Sequence, residues 1–118
     1  MYVRWNRVKG RRCAVLVRSA RVNGQPRQKI VGHLAGIHDA KYMIEHPQYR
    51  YEFWVRLRKR LDLFQECGMI DADTRQAVES RIARTVRPAT AAEVAAEAAA
   101  EAAEDERELA RLRAEIDG

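Results

Sequence analysis

Residues 13–32 read Cys13-Ala14-Val15-Leu16-Val17-Arg18-Ser19-Ala20-Arg21-Val22-Asn23-Gly24-Gln25-Pro26-Arg27-Gln28-Lys29-Ile30-Val31-Gly32. Apolar, largely β-branched residues lead into Asn23-Gly24, the strongest short signal for a hairpin. Both central positions of a type I′ turn need positive φ, which Asn and Gly tolerate best. A two-residue loop sets Val22 opposite Gln25 and fixes the register. On one face Val17 then meets Ile30, Val15 meets Gly32 and Cys13 meets Leu34. On the other, Ala20 meets Arg27, Arg18 meets Lys29, Leu16 meets Val31 and Ala14 meets His33. The first face reads as core and the second as a basic surface.

Working outward, Tyr2 to Val8 alternates as a further strand, joined through Lys9-Gly10-Arg11-Arg12. A Gly10-Arg11 loop places Val3, Trp5 and Arg7 on the basic face, although one extra loop residue would flip them all. Residues 36–46 read as a short helix or turn. Pro47 suits the first turn of a helix running to about Cys67 and stopped by Gly68. Its Trp54, Leu57, Leu61 and Phe64 form one apolar stripe. Asp71 caps a third helix to about Val86, with Val78, Ile82 and Val86 four apart and Ile70 stapling its start. After Arg87-Pro88, Thr90 and Glu93 frame a capping box that opens an Ala/Glu-rich helix to about Ile116. Glu104–Arg107 and Glu108–Arg111 are pairs that support it in isolation.

The expected fold is therefore α+β. A two- to three-stranded antiparallel sheet (1–36) packs on two helices (47–67 and 71–86), forming a basic module over 1–87. An acidic helical extension follows over 88–118.

Charge divides the chain the same way. Residues 1–60 hold 15 Lys/Arg and 3 Asp/Glu, while residues 61–118 hold 7 and 14, so a net +5 conceals halves of about +12 and −7. Such asymmetry belongs to interaction chemistry rather than metabolism. Only four of the basic residues are lysines, and arginine's planar fork suits phosphates and guanine edges. A GC-rich genome enriches Arg and Ala as well, and it accounts for at least half of the bias.

The hairpin is the leading candidate site. Arg18 facing Lys29 is a like-charge pair that costs stability unless an anion neutralises it. Arg21 and Arg27 near the turn, and Arg7, Arg11 and Arg12 at the other end, extend the patch. A two-stranded ribbon fits the DNA major groove, and an exposed Trp5 would stack a base. A second cluster is Arg56, Arg58, Lys59 and Arg60, with Arg50 one and a half turns earlier. The bland reading of these charges is a solvated surface whose edges resist aggregation.

Other chemistries find little support. His33, His38, His46 and Cys67 lack the ligand spacing of a metal site. Cys13 and Cys67 read as reduced core residues of a cytoplasmic protein. No carboxylate pair, activated nucleophile or Gly-rich phosphate loop points to catalysis or to a cofactor. No apolar run is long enough to span a bilayer, and no signal-like h-region opens the chain. The expected partner is nucleic acid, DNA ahead of RNA. The helix over 90–116 offers a surface for a protein partner or a second copy.

The stretch Val17 to Gly36 resembles the N-terminal segment of some insertion-sequence transposases, where a strand, an "NGK(P/V)RQ" turn and a strand ending "ASLG" precede the catalytic domain. Here the ending is Gly32-His33-Leu34-Ala35-Gly36. Phe53 to Leu61 is similar to an "FW" helix that small bacterial proteins pair with such a hairpin. The resemblance implies a mobile-element or phage setting and DNA contact by the hairpin. It carries over no catalytic triad, since no residues here correspond to the catalytic domain. A second class of function stays open beside it: a small inhibitor or adaptor docking on a nucleic-acid-handling enzyme, of the anti-defence type.

Overall fold

The computed structural model describes residues 1–117. Three antiparallel strands, β1 (Tyr2–Val8), β2 (Arg11–Val22) and β3 (Gln25–His38), form a sheet in sequential order. Four helices follow: α1 (Lys41–Ile44), α2 (Pro47–Glu66), α3 (Ala72–Ala83) and α4 (Ala91–Asp117). The chain is thus α+β, with a long acidic helix last. No helix among the described residues is long and apolar enough to cross a membrane.

The Asn23-Gly24 turn forms as its chemistry dictates, with φ of 53° and 78°. From there to Val17↔Ile30 the pairing follows the expected register, Arg18↔Lys29 included. Below it the ladder shifts twice. Leu16 pairs with Gly32, Val15 with His33, Ala14 with Ala35 and Cys13 with Gly36, leaving Val31 and Leu34 as the two extra residues of β3. Each shift is a bulge that turns an additional side chain inward: Leu34 is buried, and Val31 packs against the core. The first turn is Lys9-Gly10 (φ 51° and 75°) rather than Gly10-Arg11. It sets Val3 opposite Leu16, Trp5 opposite Ala14 and Arg7 opposite Arg12.

Along β1 and β2 these pairings keep the expected grouping of residues on a face but reverse which face meets the helices. In β3 the bulges move Gly32 to the side of Leu16 and His33 to the side of Val15. The face of Val3, Ala14 and Leu16 is the core, and Trp5 stacks on Phe53 with ring centroids 6.1 Å apart. The reason is the load each face carries. Helix α2 delivers Phe53, Leu57, Leu61 and Phe64 to a surface that β1 enlarges with Val3 and Trp5. The residues of the opposite face lie outside that core cluster. The central Val15 and Val17 of that face are nonetheless fully buried. Arg4, paired opposite Val15, reaches across the sheet to donate from Nη1 to Gln28 Oε1 at 3.0 Å.

The helices end where sequence chemistry ends them. His46 caps α2 by accepting the Gln48 N–H on Nδ1 (3.2 Å), and Gly68 follows its C-cap with φ +74°. Asp71 Oδ1 accepts the Thr74 N–H at 2.7 Å and caps α3. The Thr90 hydroxyl accepts the Glu93 N–H at 3.1 Å before α4 begins. Helix α3 is shorter than its periodicity predicts, because residues 84–86 tighten into a turn. That turn still buries Val86, whose carbonyl accepts the Trp54 indole N–H at 2.8 Å. Leu57, Leu61 and Ile82 are fully buried, each stabilising the fold by about 1.5–3 kcal/mol. Cys13 is half-buried on the opposite face and Cys67 is exposed, so neither belongs to the core as predicted.

No residue of α4 is buried. Its first turns lie along α2, with Glu93 near Arg50 and Glu101 bonded to His46 at 2.9 Å. It therefore runs back past the α2 N-terminus, away from the α2 C-terminal end. The molecule measures 79 × 27 × 19 Å. The expected Glu104–Arg107 and Glu108–Arg111 pairs do not close to within 4.0 Å, so Ala-rich backbone propensity carries this helix.

Candidate nucleic-acid interface

Strands β2 and β3 are longer than the helical layer that covers them. Every residue from Arg21 to Ile30 is exposed, as are Arg18 and Ser19. The segment is a two-stranded ribbon projecting beyond the core. Arg18, Lys29 and Arg27 lie on the side that faces the helices lower down, and Arg21 lies on the other. The ribbon holds these four cations and no acidic residue. None of the four has a carboxylate within 4.0 Å among the described residues. The direct Arg18↔Lys29 pairing stands as the sequence predicts, a like-charge juxtaposition that carries a local cost.

At the ribbon's base, Gly68 and Met69 come beside Arg18, Lys29, Ile30 and Val31 to line a groove of about 390 Å³. Ile30 and Met69 are 49% and 41% exposed there. The cations thus stand next to an apolar floor, a combination that suits a phosphate with its sugar.

The remaining predicted cations divide by what they already touch. Arg7 and Arg12 both bind Asp39, through their Nε atoms at 3.4 and 3.0 Å. They pin the start of α1 to the first turn, where Gly10 also accepts the Asp39 N–H at 2.8 Å. Arg56 donates to the Gly36 carbonyl at 2.8 Å and Arg60 to the His33 carbonyl at 3.2 Å, and the Arg60 guanidinium also lies over Phe64. These two arginines tie α2 to β3, an edge strand of the sheet. Arg11 and Lys59 are exposed and form no ion pair among the described residues. Trp5 spends one ring face on Phe53 and lies on the core side, so the base-stacking role proposed for it has at most a half-covered ring to use.

Arg50 and Arg58, which the sequence groups with the basic cluster of α2, are instead held by partners within the fold, as is Arg75. Arg50 is 4% exposed. It donates from Nε to the Glu45 carbonyl (3.0 Å) and from Nη1 to the carbonyls of Arg87 (3.0 Å) and Pro88 (3.1 Å), closing the passage from α3 to α4. Arg58 lies over Trp54 and pairs with Glu79, while Arg75 bonds Asp62. Helical periodicity marks apolar faces but cannot foretell which carbonyl a long side chain will reach.

His46, Glu97 and Glu101 bring three potential metal-ligand atoms within 4.8 Å. The cap decides how the ring is used. Because His46 Nδ1 accepts the Gln48 N–H, the neutral imidazole carries its proton on Nε2 and donates it to Glu101. His46 and Glu101 thus form a hydrogen-bonded tether between the start of α2 and α4, with Glu97 beside them. Among the described residues one titratable group departs clearly from ordinary behaviour: the cap hydrogen bonds from Thr74 hold Asp71 below the usual 3.8.

The chain matches no protein-family model, no curated protein and no solved structure.

Proposed function

We propose that the protein binds nucleic acid, DNA ahead of RNA, by laying the β2–β3 ribbon against the phosphate backbone. One observation carries this reading: among the described residues Arg18, Arg21, Arg27 and Lys29 have no internal partners, while Arg12, Arg56 and Arg60 are bonded within the fold and Arg7, 70% exposed, pairs with Asp39. The primary contacts are therefore those of the ribbon, with Arg11 and Lys59 as outlying cations. A ribbon of this width enters a B-form major groove. The resemblance of Val17–Gly36 to transposase N-terminal hairpins supports the same reading and a mobile-element or phage setting.

Each neutralised phosphate contributes about 0.9 to the slope of log K against log salt. Four ribbon contacts give a slope of about 3.6, and Arg18→Glu with Lys29→Glu cuts it to about 1.8 or less while charge repulsion lowers affinity further. Both side chains are exposed, so the double variant keeps the parent's thermal unfolding. A folded double variant retained on duplex DNA like the parent at low salt overturns the proposal.

The unburied α4 favours a second reading, in which the protein is an inhibitor or adaptor and α4 docks on a basic enzyme groove. Truncation after Thr90 separates the two. Ribbon-mediated binding survives it or improves, whereas inhibition through α4 is lost.

A further inference from the structure

At the end of the sheet away from the ribbon tip lies a second basic concavity. Arg12, Asp39, Lys41, Ile44, Glu45, Arg50, Thr85 and Arg87 line a cleft of about 550 Å³. Six residue steps along β2 carry the chain from Arg12 to Arg18, the first of the ribbon's cations, about 20 Å at an ordinary rise, so ribbon and cleft are distinct places.

The cleft's charge is unbalanced toward the positive. It contains four cations against Asp39 and Glu45. Asp39 is already shared by Arg12 and, from beside the cleft, by Arg7. Arg50 is the unusual member. A buried guanidinium is ordinarily matched by a carboxylate, yet here Nε and Nη1 are satisfied by carbonyls, which carry no net charge. Its Nη2 approaches Glu93 at 3.8 Å, beyond hydrogen-bond reach, and that carboxylate is 48% exposed. Lys41 and Arg87 are exposed on the rim and form no ion pair among the described residues. The cleft thus joins a buried cation, paired loosely with Glu93, to two exposed ones, with the Thr85 side chain as a further polar lining group.

We infer that this cleft binds a phosphoryl anion. Lys41 and Arg87 on the rim supply the free donors, while Arg12, held by Asp39, and the buried Arg50 add fixed positive charge behind them. Guanidinium forks match phosphoryl oxygens in geometry as well as in charge. The volume admits a nucleotide-sized group. A terminal phosphate of a nucleic acid and a free phosphate compound share this chemistry. The inference stands independently of the ribbon reading.

The test uses the full chain and inorganic pyrophosphate, followed by backbone amide shifts. Saturable shifts are expected at Lys41, Glu45, Thr85 and Arg87. Lys41→Met with Arg87→Met keeps the stems and the Arg87 carbonyl that Arg50 needs, and should weaken binding at least about tenfold, equivalent to roughly 1.4 kcal/mol. Arg18→Glu with Lys29→Glu should leave it unchanged. Absence of saturable shifts at millimolar pyrophosphate, or equal affinity in the rim variant, overturns the inference. Equal loss in the ribbon variant overturns it too, since diffuse attraction then explains the binding. A 5′-phosphorylated oligonucleotide and its 5′-hydroxyl twin identify the source. A preference for the phosphorylated strand that disappears in the rim variant assigns the cleft to a nucleic-acid end; equal binding of the twins, with pyrophosphate still bound, assigns it to free phosphate compounds.

Discussion

Gly32→Ala probes the contact on which the sheet and α2 are stacked. A Cβ at Gly32 would lie 2.5 Å from Phe64 Cζ and 3.2 and 3.3 Å from Cε2 and Cε1, so the methyl meets the tip of the ring. Phe64 is 6% exposed and carries the Arg60 guanidinium over its face at 5.5 Å, which restricts how far the ring can tilt. Overpacking of this kind costs about 1–3 kcal/mol. For a domain of under 100 residues each kcal/mol moves Tm by about 4–8 °C, so a loss of about 2 lowers Tm by about 8–16 °C. Tryptophan fluorescence is the suitable monitor, because Trp5 and Trp54 both lie in the sheet–helix body and α4 contains none. Phe64→Leu alone leaves a void costing about 1–2 kcal/mol. In the double variant the shorter side chain accommodates the methyl, and the combined loss should fall short of the sum by about 1 kcal/mol. An unchanged Tm for Gly32→Ala, or strictly additive losses, would refute the close packing described between β3 and α2.

Replacing Arg50 by Met removes three charge-assisted hydrogen bonds, and because solvent can reach the freed carbonyls the loss should be about 2–4 kcal/mol. Limited proteolysis should then cut faster near Arg87; unchanged cleavage and Tm would show that Arg50 clamps nothing. The capping carboxylate of Asp71 has a folded pKa below its unfolded 3.8, so its stabilisation is present above 3.8 and lost as pH falls through the folded value. Asp71→Asn keeps a capping oxygen and should flatten that acidic limb of the Tm–pH curve; a limb of unchanged steepness would place the acid sensitivity elsewhere. Truncation after Thr90 leaves all the buried core residues in place, so fluorescence-detected unfolding should remain cooperative with a Tm close to the parent's. Loss of cooperativity would show that α4 is integral to the body.

How much of this was legible in the sequence depended on whether local chemistry decided the outcome. The Asn23-Gly24 turn fixed the pairing of the ribbon because its φ requirements are intrinsic to those two residues. Asp71 and Thr90 announced their caps for the same reason. The bulges at Val31 and Leu34 were not legible, since both are apolar residues in an apolar strand and alternation reads straight through them. The reversed faces followed from a second gap: Val15 and Val17 are as apolar as Ala14 and Leu16. Only the placement of α2 and the sideways reach of Arg4 distinguish the two faces. Among the site residues, the sequence ranked cations by clustering. Their availability is instead set by long-range partners such as Asp39 and the carbonyls of His33 and Gly36, which no spacing reveals. The cleft around Arg50 is assembled from residues up to 75 positions apart (Arg12 and Arg87), so no local pattern could have marked it.

Helix α4 leaves the body past the α2 N-terminus, whereas the ribbon rises beside the α2 C-terminal end. With the ribbon seated on a polyanion, the same field that draws its arginines inward pushes the carboxylates of α4 outward. A bound molecule would therefore stand upright, with the helix as a bristle pointing to solution. Copies seated side by side would bring their bristles together, and like charge would then oppose dense packing. The acidic helix would set a minimum spacing along the polymer without touching it, and that spacing would shrink as salt is added.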